Sequence, residues 1–150
     1  MENKYFTPDI EDLCIGYECE YNFARAYTDE FHFVKIGYKN VTPGEGGYTN
    51  ELTDMIHLID DGAAAIRVSY LTKEQIEAEG WKHIGGKMLS GAEQIYNKGI
   101  FNLYYTTSNL KLQVVNDEED WSPEVQGGVK FEGFCKDINT FKKIIKLLGI

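Results

Sequence analysis

The stretch over residues 13–23 constrains the fold most. Ile15, Tyr17, Cys19, Tyr21 and Phe23 alternate with Gly16, Glu18, Glu20 and Asn22. A period of two is what a strand buried on one face requires, because successive side chains point to opposite sides of the pleat. Such a strand needs partners and a cover for its apolar face. Residues 30–39 are rich in aromatic and β-branched side chains, with Phe31 and Phe33 on one face and Val34, Ile36 and Tyr38 on the other, so this segment reads as a strand covered on both sides. Residues 63–71 set Ile66, Val68 and Tyr70 against Ala65, Arg67 and Ser69. Residues 101–107 and 110–116 read as a hairpin turning through Ser108-Asn109, and residues 128–135 as a last strand.

Helical spacing recurs in three places. Leu52, Met55, Ile56 and Ile59 form a stripe between a Thr49 or Asn50 cap and Gly62, which predicts an amphipathic helix. Thr72-Lys-Glu-Gln75 is a capping-box pattern that opens a short helix stopped at Gly80. Ile138, Phe141, Ile144, Ile145 and Leu148 form the apolar stripe of a C-terminal helix ending at Gly149. Residues 82–89 read as a strand with a glycine bulge, and Ser90-Gly-Ala-Glu93 reads as the cap of a short helix ending at Gly99. Residues 42–48 and 117–128 are loops by composition. With no repeat, low-complexity tract or dividing linker, the pattern predicts one α+β domain over residues 1–150. Its sheet is mostly antiparallel, with the mid-chain and C-terminal helices packed on it.

Charge and cysteine content narrow the partners. Fifteen Lys and Arg against twenty-four Asp and Glu give a formal charge of -9, so the mean field repels duplex nucleic acid. The balance is uneven. Residues 1–129 carry ten basic and twenty-two acidic side chains, whereas residues 130–150 carry five lysines against Glu132 and Asp137. Lys142, Lys143 and Lys146 there read as the solvated face of the last helix. Cys14, Cys19 and Cys135 are odd in number and form no C-x-x-C, which fits a reducing cytoplasm better than a disulfide framework. The N-terminal residues show no basic leader before an apolar stretch, and no run approaches the roughly eighteen apolar residues of a membrane span. A cytoplasmic protein that does not associate with membranes is expected.

Three segments carry a family likeness. Pro8-Asp-Ile-Glu-Asp-Leu-Cys-Ile-Gly-Tyr-Glu-Cys-Glu20, Ile66-Arg-Val-Ser-Tyr-Leu-Thr-Lys-Glu-Gln-Ile-Glu-Ala-Glu-Gly-Trp81 and Thr140-Phe-Lys-Lys-Ile-Ile-Lys-Leu-Leu-Gly-Ile150 resemble, in that order, the opening, middle and end of a group of small uncharacterised proteins of Bacteroidetes-type bacteria and their phages. The group brings no catalytic or binding residues to carry over. The resemblance implies a phage or prophage setting, in which small proteins often counter host defence by blocking a defence protein or by sequestering a nucleotide signal. The glycine-bearing loop at 42–48 and the acidic segment at 117–128 depart from the group's pattern.

Candidate chemistry is sparse. Glu18 and Glu20 share a strand face, as paired carboxylates or hard-metal ligands would, and as an exposed sheet face would equally. His32, His57 and His83 are isolated, with no H-E-x-x-H, so no metal site is expected. Ser69, Ser90, Ser108 and Ser122 lack a G-x-S-x-G elbow, and the cysteines sit in apolar patterns where a thiol behaves as a small hydrophobe. Neither Pro43-Gly-Glu-Gly-Gly-Tyr48 nor Lys82-His-Ile-Gly-Gly-Lys87 is a P-loop, but both could present backbone N–H groups to phosphate, and ordinary turns and a bulge account for them as well.

These residues support a non-catalytic, cofactor-free binding protein for a small anionic nucleotide-like signal, which in the setting the resemblance implies would be a counter-defence sponge. Arg67, Lys82 and Lys87, with the N–H groups of Gly46 and Gly47, would hold phosphate, and Tyr48 or Trp81 would stack on the base. The alternative is an acidic protein-interaction module that inhibits or adapts a host protein. In that reading the run Asp117-Glu-Glu-Asp120 and the wider acidic surface dock on a basic partner. A small homo-oligomer suits either, because strand edges and ten tyrosines provide surface.

Overall fold

The computed structural model describes residues 4–22, 30–37, 56–57, 59–61, 65–87, 93–118 and 128–150. The described residues form a mixed α+β protein made mostly of antiparallel strands. They fall into two compact units, Met1–Tyr70 and Leu71–Ile150, each with its own sheet and its own apolar cluster. Periodicity alone suggests a single sheet. Alternation identifies a strand but not its partner, and the partners here divide into two sets.

The first unit holds β1 (Tyr5–Phe6), a 3₁₀ turn at Ile10–Asp12, β2 (Glu18–Asn22), β3 (His32–Lys35) and β4 (Ala65–Ser69), in the sheet order β1-β4-β2-β3. Cys19, Ile66 and Val68 point into a core completed by Leu13, Tyr17 and Ile36. The first strand is shorter than its alternation implied. Gly16 has φ +89 and Tyr17 N–H donates to the Cys14 carbonyl at 3.0 Å, so residues 14–17 form a turn that leaves the Cys14 thiol exposed rather than packed. The segment beginning at Glu30 is not covered on both sides either, because Phe33 is 69% exposed. Ile56, His57, Ile59 and Asp60 are helical, and Ile56 and Ile59 pack on the core as the stripe predicts. Leu52 and Met55 lie outside the described residues.

The second unit runs α1 (Lys73–Ala78), β5 (Lys82–Lys87), β6 (Glu93–Lys98), β7 (Phe101–Thr106), β8 (Lys111–Asn116), β9 (Val129–Phe134) and α2 (Ile138–Leu148). Its five strands form an antiparallel meander in chain order. The short helix expected before Gly99 is β6, a strand laddered to β5 and β7 on its two sides. There Tyr96 faces His83 and Leu103 and is buried. Pairing on both edges outweighs a weak local helix signal, and Gly99, with φ +61, turns the chain into β7.

Both helices start on side-chain caps. Thr72 Oγ1 accepts from Gln75 N–H at 3.3 Å and Thr72 N–H donates to Gln75 Oε1 at 3.0 Å, the reciprocal box its sequence predicts. Asp137 Oδ1 accepts from the N–H groups of Asn139 and Thr140 at 2.8 and 2.9 Å. Gly149 closes α2 in the left-handed conformation. The α2 stripe of Phe141, Ile144 and Ile145 covers Tyr96, Leu103, Tyr105, Leu112 and Val114. Among the described residues the outer strands are β5 and β9, and the register shifts in each outer ladder, at His83/Gly85 and at Val114/Val115. Bulges of this kind blunt edge-to-edge pairing.

Candidate functional site

The residues expected to bind phosphate meet different fates. Arg67 lies in the first unit and Lys82, Lys87 and Trp81 in the second. Arg67 stands opposite Glu20 in the β2–β4 register. Its Nε donates to Glu20 Oε2 at 2.7 Å and its Nη2 lies 2.6 Å from the same oxygen. The guanidinium carbon sits 4.0 Å from the ring centroids of both Tyr5 and Phe31. An arginine neutralised by a carboxylate and covered by two rings is a structural element more than a phosphate clamp.

Trp81 is a correction. It is 2% exposed, meets Phe141 edge-on at 6.5 Å between ring centroids and has the Lys98 ammonium 5.8 Å from its own, so no face is open to a base. Lys82 is exposed on β5, in the strand whose glycines form the bulge side of the ladder. Gly86 serves close packing, since a Cβ there would lie 2.5 Å from the Glu93 carbonyl oxygen. The Lys87 side chain, Gly46, Gly47 and Tyr48 lie outside the described residues, as does the segment 119–127 with Glu119 and Asp120 of the acidic run.

Glu18 and Glu20 are not a free pair of carboxylates. Each faces a cation on the next strand, Glu18 with Lys35 Nζ at 3.5 Å and Glu20 with Arg67. Among the described residues no group of His, Cys, Asp and Glu is placed to hold a metal ion. Burial, with the Asp137 charge second, pushes the Cys135 thiol up to about 12, which leaves it protonated at neutral pH. No helix of the described residues is long and apolar enough to cross a membrane.

A cleft that sequence reasoning missed opens in the first unit. The strand β1 pairs with β4 only at Tyr5↔Ser69 and Phe6↔Val68. Two residues on, Pro8 has no N–H to continue the ladder, and the chain turns away through Ile10–Asp12. The divergence leaves a cleft of about 600 Å³ between residues 7–11 and Ile59, Ala65 and Ile66. Pro8 and Ile66 are buried at its wall, while Asp9 and Glu11 are exposed. Asp9 occupies the N-cap position of the 3₁₀ turn yet its side chain caps no N–H; the turn is held by backbone bonds from Asp12 N–H to Asp9 O at 3.0 Å and from Leu13 N–H to Ile10 O at 3.1 Å. Pro8 ends the ladder because the register of β1 on β4 puts it where an N–H would be needed, so the cleft depends on a long-range pairing as well as on the local sequence.

Charge follows the division into units. Residues 1–70 hold thirteen Asp and Glu against five Lys and Arg, and residues 71–150 hold eleven against ten. The first unit therefore carries -8 of the chain's -9. Comparison with protein-family models, with curated proteins and with solved structures gives no match.

Proposed function

We propose that the chain is a non-catalytic binding module that engages a basic partner protein through its acidic first unit. The observation that carries this reading is the segregation of charge, with -8 concentrated in residues 1–70. Such a field steers cationic surfaces inward and repels free anions. The fate of Arg67 supports the same choice, since its guanidinium is already matched by Glu20. A protein that inhibits or adapts a host protein fits this physics better than a sponge for an anionic nucleotide.

The test is recovery of bound material on the immobilised full chain from its own cellular background, at low and at high ionic strength. A stoichiometric protein partner is expected whose association weakens as salt rises, and weakens again when Asp12, Asp60 and Asp61 are changed to Asn. These three carboxylates are exposed, so their neutralisation leaves the core intact. A co-purifying nucleotide, or a partner indifferent both to salt and to these substitutions, would overturn the reading.

A further inference from the structure

The cleft beside β1 has the composition of a site for one kind of side chain. Its lining combines the apolar residues Pro8, Ile59 and Ile66 with Asp9 and Glu11, both exposed. Neither carboxylate forms a hydrogen bond or ion pair among the described residues, and Asp9 forgoes the N–H groups that its N-cap position offers. The surrounding unit carries -8. The volume, about 600 Å³, falls within the usual range of binding clefts, roughly 300–1,000 Å³, and exceeds what one side chain fills.

A fitting occupant needs an apolar body for Pro8, Ile59 and Ile66 and a positive head for Asp9 and Glu11. Lysine has that build, a four-carbon stem carrying an ammonium group. An anion would meet two carboxylates in a negative field, and a purely apolar group would leave both carboxylates half desolvated without a partner. We infer that this cleft receives a lysine-bearing segment of the partner protein, the lysine stem lying on Pro8, Ile59 and Ile66 and its ammonium between Asp9 and Glu11. This inference rests on the reading of the chain as a binder of basic proteins and names the point of contact.

The experiment titrates the full chain with the peptide acetyl-Gly-Lys-Gly-amide and follows backbone amide resonances. Two control peptides replace lysine by norleucine, which keeps the stem without the charge, and by diaminobutyric acid, which keeps a charge on a shorter stem. Saturable shifts are expected at Thr7, Ile10, Ile59, Ala65 and Ile66 with the lysine peptide, at least about threefold weaker binding for each control, and about tenfold weaker binding to the Asp9→Asn/Glu11→Gln variant. Both side chains are exposed and neither caps the turn, so the variant keeps its fold, which an unchanged amide spectrum verifies.

Equal binding of the lysine and norleucine peptides, shifts that map elsewhere, or undiminished binding to the variant would overturn the assignment. So would the absence of saturable shifts. A salt-sensitive partner retained by the Asp9→Asn/Glu11→Gln variant would reject the cleft while leaving the broader reading intact. Loss of any basic partner, with lysine-peptide binding preserved, would reject the broader reading and leave a lysine-binding cleft.

Discussion

Arg67 and Glu20 face each other across the β2–β4 ladder, and the Arg67 guanidinium that meets Glu20 also lies 4.0 Å from the ring centroids of both Tyr5 and Phe31. Three other segments of the first unit thus converge on this one side chain. The pair is partly exposed, so its ionic part contributes little by itself, whereas the stem and the two ring contacts add packing. Arg67→Ala is expected to destabilise by about 1–2 kcal/mol and Glu20→Gln by about half as much. Denaturant unfolding of the two variants and of the double variant checks this. Equal losses for Arg67→Ala and Glu20→Gln would assign the stabilisation to the ion pair alone.

The second unit offers a steric test on the strand β9. A Cβ on Gly133 would lie 2.8 Å from Cζ of Phe131, because that ring folds back over the glycine two residues along the strand. Gly133→Ala should therefore cost about 1–2 kcal/mol by forcing the ring aside. In a Phe131→Leu background the cost of Gly133→Ala should fall markedly, a coupling that a double-mutant cycle measures directly. Additive effects would locate the strain elsewhere.

Alkaline stability should report the buried thiol and phenols. Burial first, and the Asp137 charge second, raise Cys135 from its ordinary 9.0 to about 12. Burial, then Glu77 and Glu74, raise Tyr96 from 10.0 to about 12, and burial raises Tyr105 as well. Each group holds its proton more tightly folded than unfolded. Its contribution is thus complete below the unfolded value and is lost as pH climbs toward the folded one. Stability should fall by about 1.4 kcal/mol per pH unit per group, beginning near pH 9 with Cys135 and steepening above 10. Urea midpoints at pH 8, 9, 10 and 11 test the trend, and Cys135→Ala should flatten the first part of the decline. An unchanged slope in that variant would exclude the thiol as its source.

Independent folding of the second unit is a further expectation. Residues 71–150 contain α1, five strands and α2 around one cluster that includes Trp81, Tyr96, Phe141 and Ile145. Leu71 N–H is bonded within the same unit, to the Lys136 carbonyl at 2.9 Å. A fragment comprising Leu71–Ile150 should unfold cooperatively, and Trp81→Ala should cost it about 3–5 kcal/mol. Calorimetry of the fragment decides the point; a broad, non-cooperative transition would mean that the cluster needs the rest of the chain.

Local physics made much of the fold legible. The Thr72–Gln75 box, the α2 stripe with its Gly149 stop, the 101–116 hairpin and the Cys19–Tyr21 alternation all depend on contacts a few residues apart or on a periodic face, and each forms as its pattern predicts. The failures share a cause. Residues 93–98 carry a weak helix signal that two flanking strands override, and the aromatic character of Trp81 says nothing of whether its face meets solvent or Phe141.

Partnership between distant segments belongs to the tertiary structure alone. The helical and strand periods and the acidic excess are readable along the chain, because they are properties of sequence neighbours and of composition. Register decided the rest. Setting Glu20 against Arg67, forty-seven residues apart, turned an apparent anion-binding arginine into an internal pair. Stopping β1 after Phe6 opened a cleft where Asp9 and Glu11 stand exposed. Both outcomes depend on which strand edges meet, and that choice is made by the packing of whole sheets rather than by any local preference.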